Sequence, residues 1–493
     1  MTPEQAQVIY AAGERAVIER LCALDASVQQ AQQEIDALQR KLAQREKNSS
    51  TSSKRPSSDD ITKPTTGAKN NAGTENGKGN TIGGQPGHPK HTRPAYPPET
   101  LSKVHEHVSA ACPHCAGHDL LWLEEVAPHV TQQTEIQEVV VIREEHRAYA
   151  YWCEGCGEVH YAEWPEAVRK EGLFKARLTA LVAYLKHVCH ASFSTIRKFL
   201  RDVVGETVSR GYLVKLITKV SRSLERPYEE LLARIPLEAT LNVDETGHKD
   251  NGDRFWTWVF KAELYVLFRI DKSRGSQVLI EVLGREFEGT LGSDYFSAYR
   301  KFMKDVGVSV QFCIAHLIRD VKFLTTLPDL PTRIYGQRLL GALRALFHVI
   351  HQHETLSEEA FGAALGQAKT EIIGIGRDAA PSLIDAKGKE RRREAQNMAK
   401  RFRQHAEAYF AFITTPGMEP TNNVAEQAIR FVVIDRHVTQ GTRGAKGRRA
   451  NERLWTVIAT CALQGRSAFA FILEAVEAAF YDRPAPSLLP VPP

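Results

Sequence analysis

Three acidic residues, Asp244, Asp294 and Glu426, carry the strongest chemical signal in the chain. Phosphodiester cleavage and transfer need the attacking and leaving oxygens stabilised together, which two Mg²⁺ ions about 3.5 to 4 Å apart achieve when carboxylates flank and bridge them. Carboxylates are the hard oxygen donors that Mg (or Mn) favours. A lone acid is usually a solvated or capping group, so the case rests on the elements that deliver the three together.

Those elements begin near Glu238, where the pattern turns to strands: EATLNVDET, FWTWVFKA and LYVLFRID. A helix (QVLIEVLG), a strand running into GTLGSDYFSAY, and a further strand (VSVQFC) leading into AHLIRD follow. This succession suits a ribonuclease-H-like mixed α/β layer within a multidomain α+β chain. Asp244 is expected at the C-terminal end of the first strand and Asp294 just after the fourth, where neighbouring strand ends converge. Strand alternation sends the adjacent Glu245 to the opposite face. TNNVAEQAIR opens a helix after Pro420, with Thr421 or Asn422 as cap and Asn422, Asn423 and Arg430 on the face of Glu426. Asp435, nine residues further on, points away from it.

A second metal-binding pattern lies upstream. Of eight cysteines, Cys112, Cys115, Cys153 and Cys156 form two CxxC pairs, while Cys22, Cys189, Cys313 and Cys461 sit singly in apolar contexts. Two such knuckles supply the tetrahedral sulfur shell that Zn²⁺ favours, which makes 99–165 a zinc ribbon and the compartment a reducing one. EIQEVVVIREEHRAYAYW reads as two strands delivering the second pair. The 37 residues between the pairs exceed the usual span of about 15 to 20, and His105, His114 or His160 could replace a thiolate.

The remaining segments divide by composition. Val17, Leu21, Leu24, Val28, Ala31, Ile35, Leu38 and Leu42 alternate steps of three and four, a coiled-coil seam within 1–47. Residues 48–98 are Ser-, Thr-, Asn-, Gly- and Lys-rich, a flexible linker. Residues 166–232 contain SFSTIRKFLRDVVGETVSRGYLVKLITKV, a helix-turn-helix-like DNA reader in which Arg197, Lys198, Arg201, Arg210, Lys215 and Lys219 could contact phosphates or bases. The catalytic core is expected to span 233–325 and 411–478, interrupted by a helical insertion at 326–410 and followed by a disordered tail at 479–493.

Net charge is +5 over 493 residues, too diffuse to identify a partner by itself. Local runs say more. Eight Lys or Arg against two acids lie between Lys387 and Arg403, including Arg391, Arg392 and Arg393, and seven against two lie between Arg430 and Arg453, including Arg443, Lys446 and Arg448. Both suit phosphate contact, the second in a Gly-rich loop. The composition, 42% hydrophobic and 25% charged, shows no apolar run near the roughly 18 residues of a membrane span. No secretory signal is visible, so a cytoplasmic protein is expected. No GxxxxGK[ST] loop is present, so no nucleotide cofactor is expected.

VDETG, SDYFSAY, FCIAH and TNNVAEQAIR, in this order, resemble the motifs of IS66-family insertion-sequence transposases, together with CPHC, CEGC and the GGQPGHP linker. The resemblance covers nearly the whole chain. It implies that Asp244, Asp294 and Glu426 bind the catalytic metals, with His316 near the site. It further implies that the ribbon and helical region bind the element's terminal inverted repeats and that the N-terminal coil assists assembly. The expected partners are transposon-end and target DNA, further copies of the chain on that DNA, and element-encoded accessory proteins, with a nucleoid-associated location. Two rivals follow from the same residues: a nuclease that cuts without joining, and a noncatalytic DNA-binding protein whose carboxylates are idle.

Overall fold

The computed structural model describes residues 2–45, 95–107, 141–379 and 393–489, with short stretches between 114 and 133. Among the described residues no helix is long and apolar enough to cross a membrane. The expected linker lies almost wholly outside them.

Two helices open the chain, α1 (Pro3–Ala11) and α2 (Glu14–Arg45), separated at Gly13, whose φ of +97° suits a residue without Cβ. The periodic apolar residues of α2 do not form a core: Leu21, Val28, Ala31, Ile35, Leu38 and Leu42 are exposed, and Val17 and Leu24 are half-buried. One compact unit, 64–145, is separate from the rest; within it the Tyr96 backbone exchanges two hydrogen bonds with the Gln132 carboxamide, at 2.7 and 3.2 Å.

The other unit contains an antiparallel hairpin of β1 (Ala150–Cys153) and β2 (Glu158–Tyr161), then α3 (Glu166–Glu171). The two strands straddle the second CxxC knuckle; 141–149 carries no strand, and most of the first strand expected ahead of the knuckle, at 134–140, lies outside the described residues. Gly157 at φ +70° reverses the chain directly after Cys156.

Four helices follow: α4 (Ala176–His187), α5 (Phe193–Phe199), α6 (Arg210–Ser223) and α7 (Glu225–Arg234). Ser192 and Ser209 cap α5 and α6 by accepting the Thr195 and Tyr212 amides. A π turn at Leu200–Val204 ends α5, and Gly205 at φ +74° starts the turn toward α6.

The central sheet has five strands in the order β5-β4-β3-β6-β7: β3 (Thr240–Asp250), β4 (Asp253–Lys261), β5 (Val266–Asp271), β6 (Thr290–Ser293) and β7 (Ser309–Phe312). β3, β4 and β5 pair antiparallel, while β6 and β7 continue the sheet parallel to β3. Helix α8 (Ser276–Leu283) links β5 to β6, α9 (Ser297–Val306) links β6 to β7, and α10 (Ile314–Leu324) leaves β7. Three helices fill the following region, α11 (Leu330–His351), α12 (Glu358–Arg377) and α13 (Arg393–His405). The chain then returns to the sheet through α14 (Asn423–Thr439), α15 (Ala445–Leu463) and α16 (Ala468–Phe480).

Each face of the sheet is covered. Val259, Val266 and Phe268 pack on Ala425, Ile429 and Val432 of α14 and on Trp455 of α15. On the other face Trp258 meets Tyr299 of α9 edge-to-face at 6.1 Å. Helix α15 is also stitched to β5: Glu452, Thr456 and Thr460 accept the backbone N–H groups of Ile270, Phe268 and Val266 at 2.7, 3.0 and 3.1 Å. The register works because four helical residues rise about 6 Å, close to the roughly 6.6 Å of two strand residues.

Two expectations are corrected here. Asp244 is the fifth residue of an eleven-residue strand, not its end. The strand continues because Asn251 and Gly252, at φ +53° and +92°, form the two-residue turn that carries β3 directly into β4. Pairing between β3 and β6 stops at Asn242, so Asp244 still lies just past the parallel half of the sheet. The second correction concerns the tail. Residues 481–489 pack on the body: Leu488 is fully buried, and Gln464 and Arg466 donate to the carbonyls of Leu488 and Ser487. A proline-rich composition does not prevent packing when an apolar side chain and its flanking carbonyls find partners.

Candidate catalytic and nucleic-acid-binding sites

A chain of hydrogen bonds joins the elements that carry the three acids. The Cys313 amide donates to the Ser293 carbonyl at 2.8 Å, one residue before Asp294. The Asn422 amide donates to Cys313 Sγ at 3.2 Å, and Asn422 Nδ2 donates to the Val243 carbonyl at 2.8 Å, one residue before Asp244. Asn242 Nδ2 in turn donates to Asn422 Oδ1 at 2.9 Å. Gly292 permits this, since a Cβ there would lie 2.3 Å from Asn242 Nδ2. Asn422 occupies the cap position of α14, but its side chain makes no cap bond; the competing partners on β3 take it. The Ile314 amide donates to the Pro420 carbonyl at 3.0 Å, so the N-terminal ends of α10 and α14 meet at this point.

The alternation expected at Asp244 and Glu245 is observed. Asp244 lies opposite Val259 and Glu245 opposite Trp258, placing Asp244 on the α14 face and Glu245 on the α9 face. Glu245 is 2% exposed and accepts from Arg274 at 2.7 and 2.9 Å and from the Tyr299 hydroxyl. Burial, reinforced by the charges of Asp244 and Asp294, pushes its carboxyl up to about 7. Both aspartates act on one side chain, so negative charge accumulates at the rim between β3 and β6. Asp294 Oδ1 accepts the Phe296 amide at 2.9 Å.

Glu426, in the first turn of α14, is reached by His316 and Arg319 from α10. His316 Nδ1 lies 3.5 Å from Glu426 Oε1 and Arg319 3.8 Å from Oε2. Burial and the Arg319 charge push His316 down to about 4, against an opposing pull from Asp244. His316 is thus within electrostatic reach of two of the three acids. Cys313, His316 and Glu426 offer ligand atoms all within 4.8 Å of one another, whereas among the described residues no equally tight set joins Asp244, Asp294 and Glu426. The three acids fit hard divalent cations by donor type and by the negative charge gathered at the rim. Asn423 and Arg430 are exposed on α14, and Asp435 is buried 3.8 Å from Lys186 Nζ and 3.6 Å from His190 Nδ1, well away from Glu426.

At the ribbon, Cys153, Cys156 and His160 gather within 4.8 Å, with His160 Nε2 3.0 Å from Cys156 Sγ. The Cys156 amide and thiol hold the Cys153 thiol below its ordinary value. This soft donor set fits zinc. Cys115 is exposed, and Cys112 lies outside the described residues. His105 and His114, the other histidine candidates, belong to the separate unit.

The basic candidates divide into three groups. Arg210, Arg443 and Lys446, more than 230 positions apart in sequence at the extremes, line one cavity. Lys198 and Lys215 are exposed on α5 and α6, and Arg393 is exposed at the start of α13. Others are engaged within the protein: Arg197 donates to the Val208 carbonyl at 2.9 Å, Arg201 pairs with Asp202, Arg448 with Asp250, and Lys219 donates to the Glu171 carbonyl. Arg391 and Arg392 lie outside the described residues. The Gly-rich loop is held firmly, with the Thr442 amide on the Lys249 carbonyl at 2.9 Å and Asp250 accepting the Gly444 amide at 2.6 Å.

Sequence reasoning missed Arg274, which holds Glu245 while lying against the rings of Trp256 and Phe296 at 4.4 and 3.9 Å. No spacing marks it. Tyr299 was visible only as part of SDYFSAY, and Cys313 only as part of FCIAH.

Comparison with known families gives three matches. A model described as the transposase IS66 family matches 171–450, one described as the zinc-finger binding domain of transposase IS66 matches 109–157, and a family of unknown function matches 1–94. The second match contains both CxxC pairs and stops short of His160. No curated protein matches the chain.

Proposed function

The chain belongs to the IS66 family of transposases, and from that premise we propose that it cuts DNA at the ends of an insertion sequence and joins them to a target. The observation that carries this is the hydrogen-bond chain from Ser293 through Cys313 and Asn422 to Val243, which ties together the elements bearing Asp294, Glu426 and Asp244. The strand order, three antiparallel strands extended by two parallel ones, supports a ribonuclease-H-like core. Two divalent cations held by Asp244, Asp294 and Glu426 would activate the attacking oxygen and stabilise the leaving one.

The reaction has two in-line displacements. In the first, a water oxygen bonds to phosphorus as the bond to the 3′ oxygen breaks, leaving a 3′-hydroxyl. In the second, that hydroxyl oxygen attacks a target phosphodiester and displaces another 3′ oxygen. His316 and Arg319 fix the orientation of Glu426, and Arg274 and Tyr299 anchor Glu245 behind Asp244 so that the strand bearing it cannot shift. The ribbon, with Cys112, Cys115, Cys153 and Cys156 as zinc ligands, and the α4–α6 region bind the terminal inverted repeats. The exposed apolar stripe of α2 supports self-association through the N-terminal coil, and accessory proteins complete the assembly.

The test compares wild type with Asp294→Asn on DNA carrying the element's own ends, with Mg²⁺. Nicking and joining by wild type, and by the variant neither, is the expected result. Cutting without joining would make the protein a nuclease, and end binding with no metal-dependent cleavage would make it a noncatalytic DNA-binding protein.

A further inference from the structure

Away from the acidic rim, a cavity of about 650 Å³ lies between α5 and α6 on one side and the Gly-rich loop and first turn of α15 on the other. Its chemistry is mixed. Arg210, Arg443 and Lys446 stand exposed at the rim, and Lys186 forms part of the floor with only 9% of its surface exposed. Among the described residues lining the cavity there is no Asp or Glu; Asp435 stands behind Lys186. Phe193, Val214 and Val438 supply an apolar wall, and Val214 and Val438 remain 46% and 47% exposed.

Each property narrows the occupant. Four cations without an opposing carboxylate in the lining select an anion. A half-buried aromatic ring and two exposed aliphatic side chains beside them select a ligand that is flat and apolar at one end. The volume falls in the range of roughly 300 to 1,000 Å³ typical of one small ligand, whereas a duplex, whose major groove alone is about 12 Å wide, cannot enter. A single nucleotide meets all three conditions: a phosphate for the cations and a base for the wall.

We propose that this cavity receives one nucleotide swung out of the bound DNA, its phosphate at Arg443 and Lys446 and its base against Phe193 and Val214. The inference rests on the DNA-processing reading above and adds a substrate subsite to it. Glu426 and Val438 both lie on α14, twelve residues apart, which is about 18 Å along the helix. The extruded nucleotide therefore lies about five steps of one strand from the acidic rim, at roughly 3.4 Å per step. Such a subsite fixes the register of the DNA relative to the cutting site, because only one position can be unstacked into it at a time.

The test uses the full-length protein with zinc retained, no added Mg²⁺ and fixed salt, and measures affinity for two duplexes of identical sequence that differ by one unpaired thymidine. The bulged duplex already has a nucleotide free of pairing, so wild type is expected to bind it about tenfold more tightly. Phe193→Ala, which removes the wall, and Thr218→Trp, which fills the cavity, are each expected to bring that ratio to about one, whatever their effect on affinity for the paired duplex. Thermal unfolding of both variants separates loss of the subsite from loss of the fold. Equal affinity of wild type for the two duplexes, or a preference that survives both substitutions, would overturn the proposal. Binding and metal-dependent cleavage read together on wild type distinguish the two readings: a bulge preference without cleavage sinks the catalytic reading alone, and cleavage without a bulge preference sinks the subsite alone.

Discussion

Asn422 Nδ2 donates to the Val243 carbonyl at 2.8 Å, so a single carboxamide joins the start of the helix bearing Glu426 to the residue before Asp244. Replacing Asn422 with Ala strands the Val243 carbonyl and Asn242 in a buried site, at a cost of about 1 to 3 kcal/mol. Displacing Glu426 from Asp244 by even 1 Å is expected to lower the cleavage rate about a hundredfold with little change in DNA affinity. Denaturant unfolding and single-turnover cleavage measure the two effects, and an unchanged cleavage rate in a destabilised variant would show that Asn422 holds the fold and not the site.

Truncation before Arg483 removes Leu488, which is fully buried, and the carbonyls held by Gln464 and Arg466. The loss is expected to be about 2 kcal/mol or more, read as a lower denaturant midpoint. A truncated chain as stable as the full one would contradict the packing of this segment.

His187 is buried between the Ala183 carbonyl and Asn451, and burial, with Lys186 nearby, pushes it down to about 3. The unfolded chain takes up the proton near pH 6.5 while the folded one does not. The stability this neutral imidazole contributes is therefore complete above about 6.5 and is lost as pH falls toward 3, by up to about 1.4 kcal/mol per unit. His187→Gln is expected to lose less stability than wild type between pH 7 and pH 5, and equal slopes would show that His187 does not govern this range. Groups elsewhere with raised values, such as Glu452, titrate in both proteins and cancel in the difference.

His160 Nε2 lies 3.0 Å from Cys156 Sγ, suited to donating a hydrogen bond to a zinc-bound thiolate. Cys156→Ser is expected to abolish zinc binding, and His160→Ala to weaken it about 10- to 100-fold while keeping the ion at one per chain. Loss of all zinc in His160→Ala would make the histidine a ligand in its own right.

The parts of the fold that were legible were those governed by a strict period. Alternation separated Asp244 from Glu245 correctly because β3 is regular through that point, and the five strands and the helix at 276–283 followed from apolar pattern, while the helix at 297–306 was not named. The parts that were not legible depend on long-range partners. Asn422 caps no amide because Val243 and Asn242, about 180 positions away, compete for its side chain. The prolines at 484, 486 and 490 break any helical or strand period in the tail, so its packing could not be read from pattern, yet Leu488 is buried. Arg274 sits in a loop with no periodicity, and its role exists only once Glu245 is buried beside it. The first strand was read too short because Asn251 and Gly252 were not recognised as its turn.

The ladder of Glu452, Thr456 and Thr460 along β5 has a consequence for assembly. An outer strand normally leaves a row of free N–H groups that can recruit a strand from another molecule. Here α15 occupies the Ile270, Phe268 and Val266 amides, and at the opposite margin the Gln311 side chain is spanned by the Tyr409 carbonyl and the Phe412 amide. The sheet is thus closed to templated growth from the β5 side and shielded at β7. Copies brought close together are thereby kept from exchanging strands between their cores.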